Sequence, residues 1–295
     1  MWKWIRRFLI VVLTAVFCFS AVKLFLIWRS YKKSEAVHNE AVEQFIKPSA
    51  FSAEQTEGAA EDPGQAPEGA ELPDGPETGK KKKAPEELVY APFEVDFDEL
   101  TAVNKDVIGW IYCEDTVINY PVVWGRDNSH YLNRNYRGRS DPSGTIFSDM
   151  GNTPGFGDYN VILYGHHMYN MTMFGPLEYW LEQDFYDEHP VMWLLTPEQD
   201  YKVELLAGYV TSADSDAYTV FSSNGPAFET YLKNAVEQSV FTSPVEIDPE
   251  AHYVMLSTCS YFFSYSRTVL HGKLVPVDTA GGVLIQDVEE LEEFS

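Results

Sequence analysis

Cys259, His166 and Arg267 are the side chains whose types and settings point to nucleophilic chemistry. Cys259 follows the apolar run Tyr253-Val254-Met255-Leu256 and then Ser257-Thr258. A strand that ends on a polar cysteine leaves the sulfur at the rim of a sheet. A cysteine that merely packs is commoner than a nucleophile, so its neighbours decide the reading. Arg267 lies eight residues on, where the next strand pattern opens. If a short connection joins the two strands antiparallel, their adjoining ends set Arg267 beside Cys259. A guanidinium there stabilises a thiolate, or the oxyanion formed when that thiolate attacks a carbonyl. His166 ends another strand pattern, which begins at Asn160, and Gly165 before it permits a tight turn. An imidazole titrates at about 6.5 in free solution, which suits acid–base work near neutrality. Alone, such a histidine is more often a hydrogen-bonding surface group. The pair His166-His167 makes a poor metal site, because adjacent strand residues point to opposite faces. No Cys/His cluster supplies further ligands, so neither a metal nor a cofactor is expected. Ser257 and Thr258 are candidates for orienting a substrate, with a structural role equally open. Tyr164 reads as packing, and Cys113 as a bystander.

These residues need a sheet to hold them. Strand patterns cover Val107–Tyr112, Val117–Val123, Gly144–Phe147, Asn160–Tyr164, Val191–Leu195, Tyr201–Val210, His252–Ser257 and Thr268–Val275, most of them bounded by Gly, Pro, Asn or Asp. Helical patterns cover Phe97–Asn104, Met173–Leu181 and Ala227–Val240. No repeat and no glycine-rich phosphate loop interrupts them. About eight short strands with few helices predict a mainly β fold, a single mixed or mainly antiparallel barrel.

The chain has 295 residues and a formal net charge of −24. Such acidity excludes nucleic acid as a partner, since phosphates need a basic face. Three cysteines exclude a disulfide-dense scaffold. The charge is uneven. Residues 1–50 carry 8 basic and 3 acidic side chains, residues 51–79 carry 8 acidic and none basic, and residues 88–280 carry 27 acidic and 9 basic. Phe8 to Trp28 is apolar apart from Thr14, Cys18, Ser20 and Lys23. As a helix it reaches about 31 Å, one bilayer core, with Trp2, Trp4 and Trp28 placed as interfacial aromatics. No convincing cleavage site follows it, so an uncleaved anchor is expected. Basic residues flank both ends equally, which leaves orientation open on charge alone. Residues 29–47 alternate charged and apolar positions, a pattern in which the helix can continue, and residues 48–87 are rich in Glu, Pro, Gly and Ala. The expected organisation is a membrane anchor over 1–30, a juxtamembrane segment and disordered acidic linker over 31–87, a folded domain over 88–279 and an acidic tail over 280–295.

Taken together, Tyr164-Gly165-His166, Leu256-Ser257-Thr258-Cys259 and Arg267 resemble the sortase signature. Asn104 to Ile111, Ile118 to Val123, Asp127 to Leu132, Gly144 to Asp149 and the late helical insert Ala227–Val240 resemble the class B branch. The resemblance covers residues 94–277. It departs at Met255, where many sortases have Thr. It implies a membrane-anchored cysteine transpeptidase of Gram-positive-type bacteria, with its N-terminus cytoplasmic and its domain outside. Cys259 would attack the Thr carbonyl of a C-terminal sorting motif, His166 would move protons, and Arg267 would hold the oxyanion or the substrate backbone. The implied partners are surface proteins bearing that motif, a peptidoglycan precursor amine and the membrane itself. The linker is then expected to act as a tether. The alternatives are a pilus-type sortase, a hydrolytic cysteine peptidase and a silent binding module. The last of these would bury Cys259 and scatter the other two residues.

Overall fold

The computed structural model describes residues 2–48 and 91–277. The expected linker beyond residue 48 and the tail 280–295 lie outside the described residues. Helix α1 spans Trp2–Phe45 and leads into β1, Ile46–Pro48. Then come β2 (Phe93–Val95), α2 (Phe97–Val103), β3 (Val107–Tyr112), β4 (Asn119–Trp124), β5 (Ile146–Ser148) and β6 (Asn160–Tyr164). The second half holds α3 (Gln183–Glu188), β7 (Val191–Leu195), β8 (Asp200–Ser212), α4 (Pro226–Gln238), β9 (His252–Cys259) and β10 (Ser266–Val277). Strands β3 to β10 close the expected barrel in the order β10-β8-β7-β3-β4-β5-β6-β9. Two neighbouring pairs are parallel, β4–β5 and β6–β9.

The barrel strands are apolar on both faces because both faces are covered. Leu163, Val254, Leu256 and Leu270 fill the interior with Phe174 and Trp180. Ile162, Tyr253, Met255 and Val269 face outward beneath Phe228 and Leu232 of α4. Met255 is therefore a packing residue on that outer layer, fully buried. Trp110, Val123 and Phe147 form a second outer layer under Phe45 and Leu100. Expected and observed boundaries differ by a residue or two at most strand ends. Two shifts matter. Strand β9 runs on through Cys259 instead of stopping at Ser257. The pattern from Met173 becomes a 3-10 turn at Gly175–Leu181, with Pro176 in its first turn, where the missing N–H costs nothing.

The N-terminal helix runs beyond the span, as the alternation over residues 29–47 allows. Its apolar stretch is exposed, long and apolar enough to cross a membrane, and the same helix continues onto the barrel. Ser34, His38, Ala41 and Phe45 are buried there, a spacing of four, three and four that makes one helix face. The Ser34 hydroxyl bonds the Asp141 carboxylate, His38 meets the edge of Tyr120 at 5.1 Å, and Phe45 meets Tyr136 at 6.0 Å. Strand β1 then pairs with β2, with Ile46 opposite Val95. Pro48 and Phe93 are thereby register partners in one ribbon. The described residues 31–48 pack on the folded body. The expected acidic tether lies after residue 48, outside the described residues. Phe45→Ala should cost about 3–5 kcal/mol of helix docking. Hydrogen exchange over residues 31–48 should accelerate sharply, and unchanged protection would show that the helix does not depend on this contact.

His271 of β10 is fully buried, stacked on Tyr209 with its Nε2 3.1 Å from the Tyr209 hydroxyl. Burial pushes its imidazole down to about 3. Burial also lowers His38, against the field of Asp141. At these two imidazoles the unfolded chain therefore binds more protons than the native one below about pH 6.5, and the stability they contribute above that pH is lost as pH falls. Burial pushes the Asp200 carboxyl up to about 6, and its native-state protonation opposes them over the same range. Between about pH 6.5 and 5, acidification should therefore lower the Tm of the parent by more than that of His271→Gln, and equal slopes would contradict this.

Candidate active site

Two strand pairings assemble the site. In the parallel pair, Tyr164 of β6 lies opposite Ser257 of β9, and the Gly165 N–H continues the ladder to the Ser257 carbonyl at 3.1 Å. His166 and Cys259, each two residues further along, emerge at the same rim. In the antiparallel pair, Arg267 of β10 lies directly opposite Cys259, as the short-connection reading expects. Cys259 is exposed, while His166 and Arg267 are half-buried. All three line one groove of about 460 Å³, with Tyr164, Tyr218 and Ser257 in its walls. A silent module would scatter these residues, and the structure does not.

The reason for glycine at 165 differs from the expected tight turn. Its φ is not among the positive values of the chain. A β-carbon there would come within 2.6 Å of Ile146 and the Phe174 ring. Glycine is needed for space, so that the end of β6 can lie flat on the barrel interior.

His166 Nε2 donates to the Leu132 carbonyl at 2.7 Å. A carbonyl only accepts, so the proton of a neutral His166 resides on Nε2 and leaves Nδ1 as the basic atom. Among the described residues Nδ1 has no hydrogen-bond partner. Leu132 belongs to a 3-10 turn, His130–Asn133, and Gly144 presses against that turn. A β-carbon on Gly144 would lie 2.5 Å from the Tyr131 carbonyl and 2.7 Å from that of Leu132. Its φ of +65° is also in the left-handed region. Sequence reasoning singled out the Asp127 to Leu132 stretch without giving it a role. A backbone acceptor carries no residue-type signal, so nothing in the sequence marks it.

Two neighbours frame the groove. Tyr164 does more than pack, since its hydroxyl donates to Asp149 at 2.8 Å. Its phenol is raised by burial first, then by that carboxylate. Tyr218 stacks on Tyr164 at 6.1 Å and shares a 2.8 Å hydrogen bond with the Ser257 hydroxyl. Burial raises Tyr218, with the Ser257 bond and the Arg267 cation opposing it. Ser257 thus faces the groove with its hydroxyl already engaged. Thr258 sits in the wall, but strand alternation turns its side chain to the interior, opposite Thr268. The two Oγ1 atoms there have no hydrogen-bond partner among the described residues. The Ser260 N–H is taken by the Ser266 carbonyl at 3.0 Å, which removes it as an oxyanion donor. His167 leaves the groove wall for Glu178, 3.3 Å away, and the edge of Tyr261.

Cys113 is buried, and burial pushes its thiol up to about 12. A water-soluble alkylating reagent should therefore modify Cys259 well before Cys113 in the folded protein. Peptide mapping of a time course checks this, and faster loss of the Cys113 thiol would contradict the exposure of Cys259.

No family model matches the chain. Among curated proteins, sortase B of Listeria monocytogenes is 37% identical over 179 residues, spanning 60% of this chain and 73% of that protein. Sortase B of Staphylococcus aureus is 32% identical over 183 residues, or 61% and 75% of the two chains. Among solved structures, the S. aureus sortase B–substrate complex matches at a TM-score of 0.57 and 31% identity over 62% of this chain and 85% of that one. A sortase B complexed with triglycine gives the same score and identity over 62% and 86%. With the barrel, the shared rim of β6, β9 and β10 and these relatives in agreement, the chain belongs to the class B sortases, a family of transpeptidases.

Proposed function

We propose that this sortase cleaves a C-terminal sorting motif after Thr and passes the protein to a peptidoglycan amine. The observation that carries the reading is the single groove that Cys259, His166 and Arg267 line together. The Cys259 thiolate attacks the Thr carbonyl, giving a tetrahedral oxyanion beside the Arg267 guanidinium. Collapse breaks the peptide bond, and Nδ1 of protonated His166 gives its proton to the leaving amine. The incoming amine then attacks the thioester and returns a proton to the same atom, and the thiolate is restored. The sortase B relatives solved with a substrate and with triglycine support an acyl donor and an amine acceptor as the two ligands.

The apolar half of α1 supports a single membrane span. In this reading the N-terminus is cytoplasmic and residues 88–279 work outside, on membrane-presented surface proteins. In this reading the helix itself joins span and barrel, with its C-terminal half packed on the body.

Turnover of a sorting peptide with an added amine, followed by mass of the product, tests the assignments. His166→Ala should lower the rate by about 10²–10⁴-fold, while His167→Ala should be mild. The reverse order would assign the proton transfer to the other imidazole. Arg267→Lys should lose about 10²-fold or more, since a point charge does not replace a planar fork at an oxyanion. Near-full activity would remove Arg267 from the mechanism. Hydrolysed product alone, at saturating amine, would favour a peptidase over a transpeptidase.

A further inference from the structure

The connection from β9 to β10 begins immediately after Cys259 and reads Ser260-Tyr261-Phe262-Phe263-Ser264-Tyr265. Tyr261, Phe262, Phe263 and Tyr265 are all exposed, and so is Tyr169, which stacks on Tyr261 at 6.2 Å. Five exposed aromatic rings on two adjoining segments are unusual on a domain as acidic as this one, and exposed apolar surface of that kind marks an interaction site. The display is built. The Ser260 N–H bonds the Ser266 carbonyl, the Ser266 N–H bonds the Phe263 carbonyl, and the Ala213 N–H bonds the Tyr265 carbonyl. Tyr265 is held at a φ of +63°, a conformation an aromatic residue rarely takes. Cβ crowding is thus tolerated while the ring points to solvent.

The position of the patch identifies what covers it. Helix α1 connects the apolar span to the barrel without a break. Tyr31 lies three residues after Trp28, about 4.5 Å along the helix. Tyr31 shares a cavity with Asn170 and Thr172, on the segment that carries Tyr169. Burial first, then Tyr169, raises the Tyr261 phenol, and the fields of Cys259 and Tyr31 reach it as well. The far end of the docked helix lies elsewhere: Gln44 bonds Glu99 on α2, about 20 Å further along the axis. The aromatic patch is therefore at the end of the barrel from which the helix departs for the span. Tyr and Phe rings at that level are what a bilayer interface accepts. Glu178 and Glu182 lie beside Phe262, which favours neutral headgroups over anionic ones.

We propose that the β9–β10 connection and Tyr169 form a membrane-docking surface that seats the mouth of the Cys259 groove on the lipid headgroup layer. This rests on the reading of α1 as a membrane anchor.

The full chain is reconstituted in phosphatidylcholine nanodiscs brominated near the headgroup end of the acyl chains. Tryptophan quenching is compared among the parent, Phe263→Trp and Val103→Trp, the last an exposed position on α2. The emission added at 263 should be quenched about twofold more than that added at 103. Tyr265→Trp provides a second reporter should Phe263→Trp fail to fold. Equal quenching at 263 and 103 overturns the proposal. An unquenched but blue-shifted, concentration-dependent signal at 263 also overturns it, in favour of a second copy of the chain. The parent reports separately on the anchor through Trp2, Trp4 and Trp28. If these are unquenched, the anchor reading fails and takes the docking surface with it. If they are quenched while 263 is not, the anchor stands and only the docking surface falls.

Discussion

Everything at the site depends on β9 being paired on both sides, parallel to β6 and antiparallel to β10. The parallel register sets Tyr164 opposite Ser257 and so brings His166 level with Cys259. The antiparallel register sets Arg267 directly across from the sulfur. A slip of one residue in either pairing would turn a partner to the other face. The register is well defended, because Leu163, Leu256 and Leu270 fill the interior while Ile162, Met255 and Val269 fill the layer under α4. Burying both faces of these strands makes a slip costly on both sides at once. The geometry of the site is thus a by-product of core packing, with Cys259, His166 and Arg267 placed where the packed strands end.

The loops refine what the strands place. The turn at His130–Asn133 offers its Leu132 carbonyl to His166 and thereby selects a tautomer. Gly144 allows that turn to come close, and Gly165 allows the end of β6 to lie against Phe174. Tyr218 and Tyr164 stack across the groove and are tied to Ser257 and Asp149. Several separate segments therefore converge on a site whose Cys259, His166 and Arg267 come from three adjacent strand ends.

Much of this was readable from residue types. The run from Tyr253 to Cys259, the eight-residue step to Arg267 and the strand ending at His166 each predict their place, because short apolar strands have a strong pattern and reactive side chains at their ends stand out. What escaped had no side-chain signal or a masked one. The Leu132 acceptor is backbone. The role of Gly165 depends on a ring 9 residues later in the chain. The alternation over residues 29–47 permits a helix, but the docked face of α1 is Ser34, His38, Ala41 and Phe45, where two polar residues dilute the apolar stripe. The parallel pairing of β6 with β9 joins strands far apart in sequence, and no local feature announces it.

The nucleophilic role proposed for Cys259 requires a covalent acyl-enzyme with a sorting-type peptide in this groove. Intact mass of the full chain after brief incubation with such peptides and no amine tests it most directly. The expected result is an added mass of the acyl fragment up to and including Thr, one water less than that fragment as a free acid, mapped to Cys259, absent in Cys259→Ala and discharged by an added amine. Peptide turnover with no adduct on the parent, and undiminished in Cys259→Ala, would contradict it.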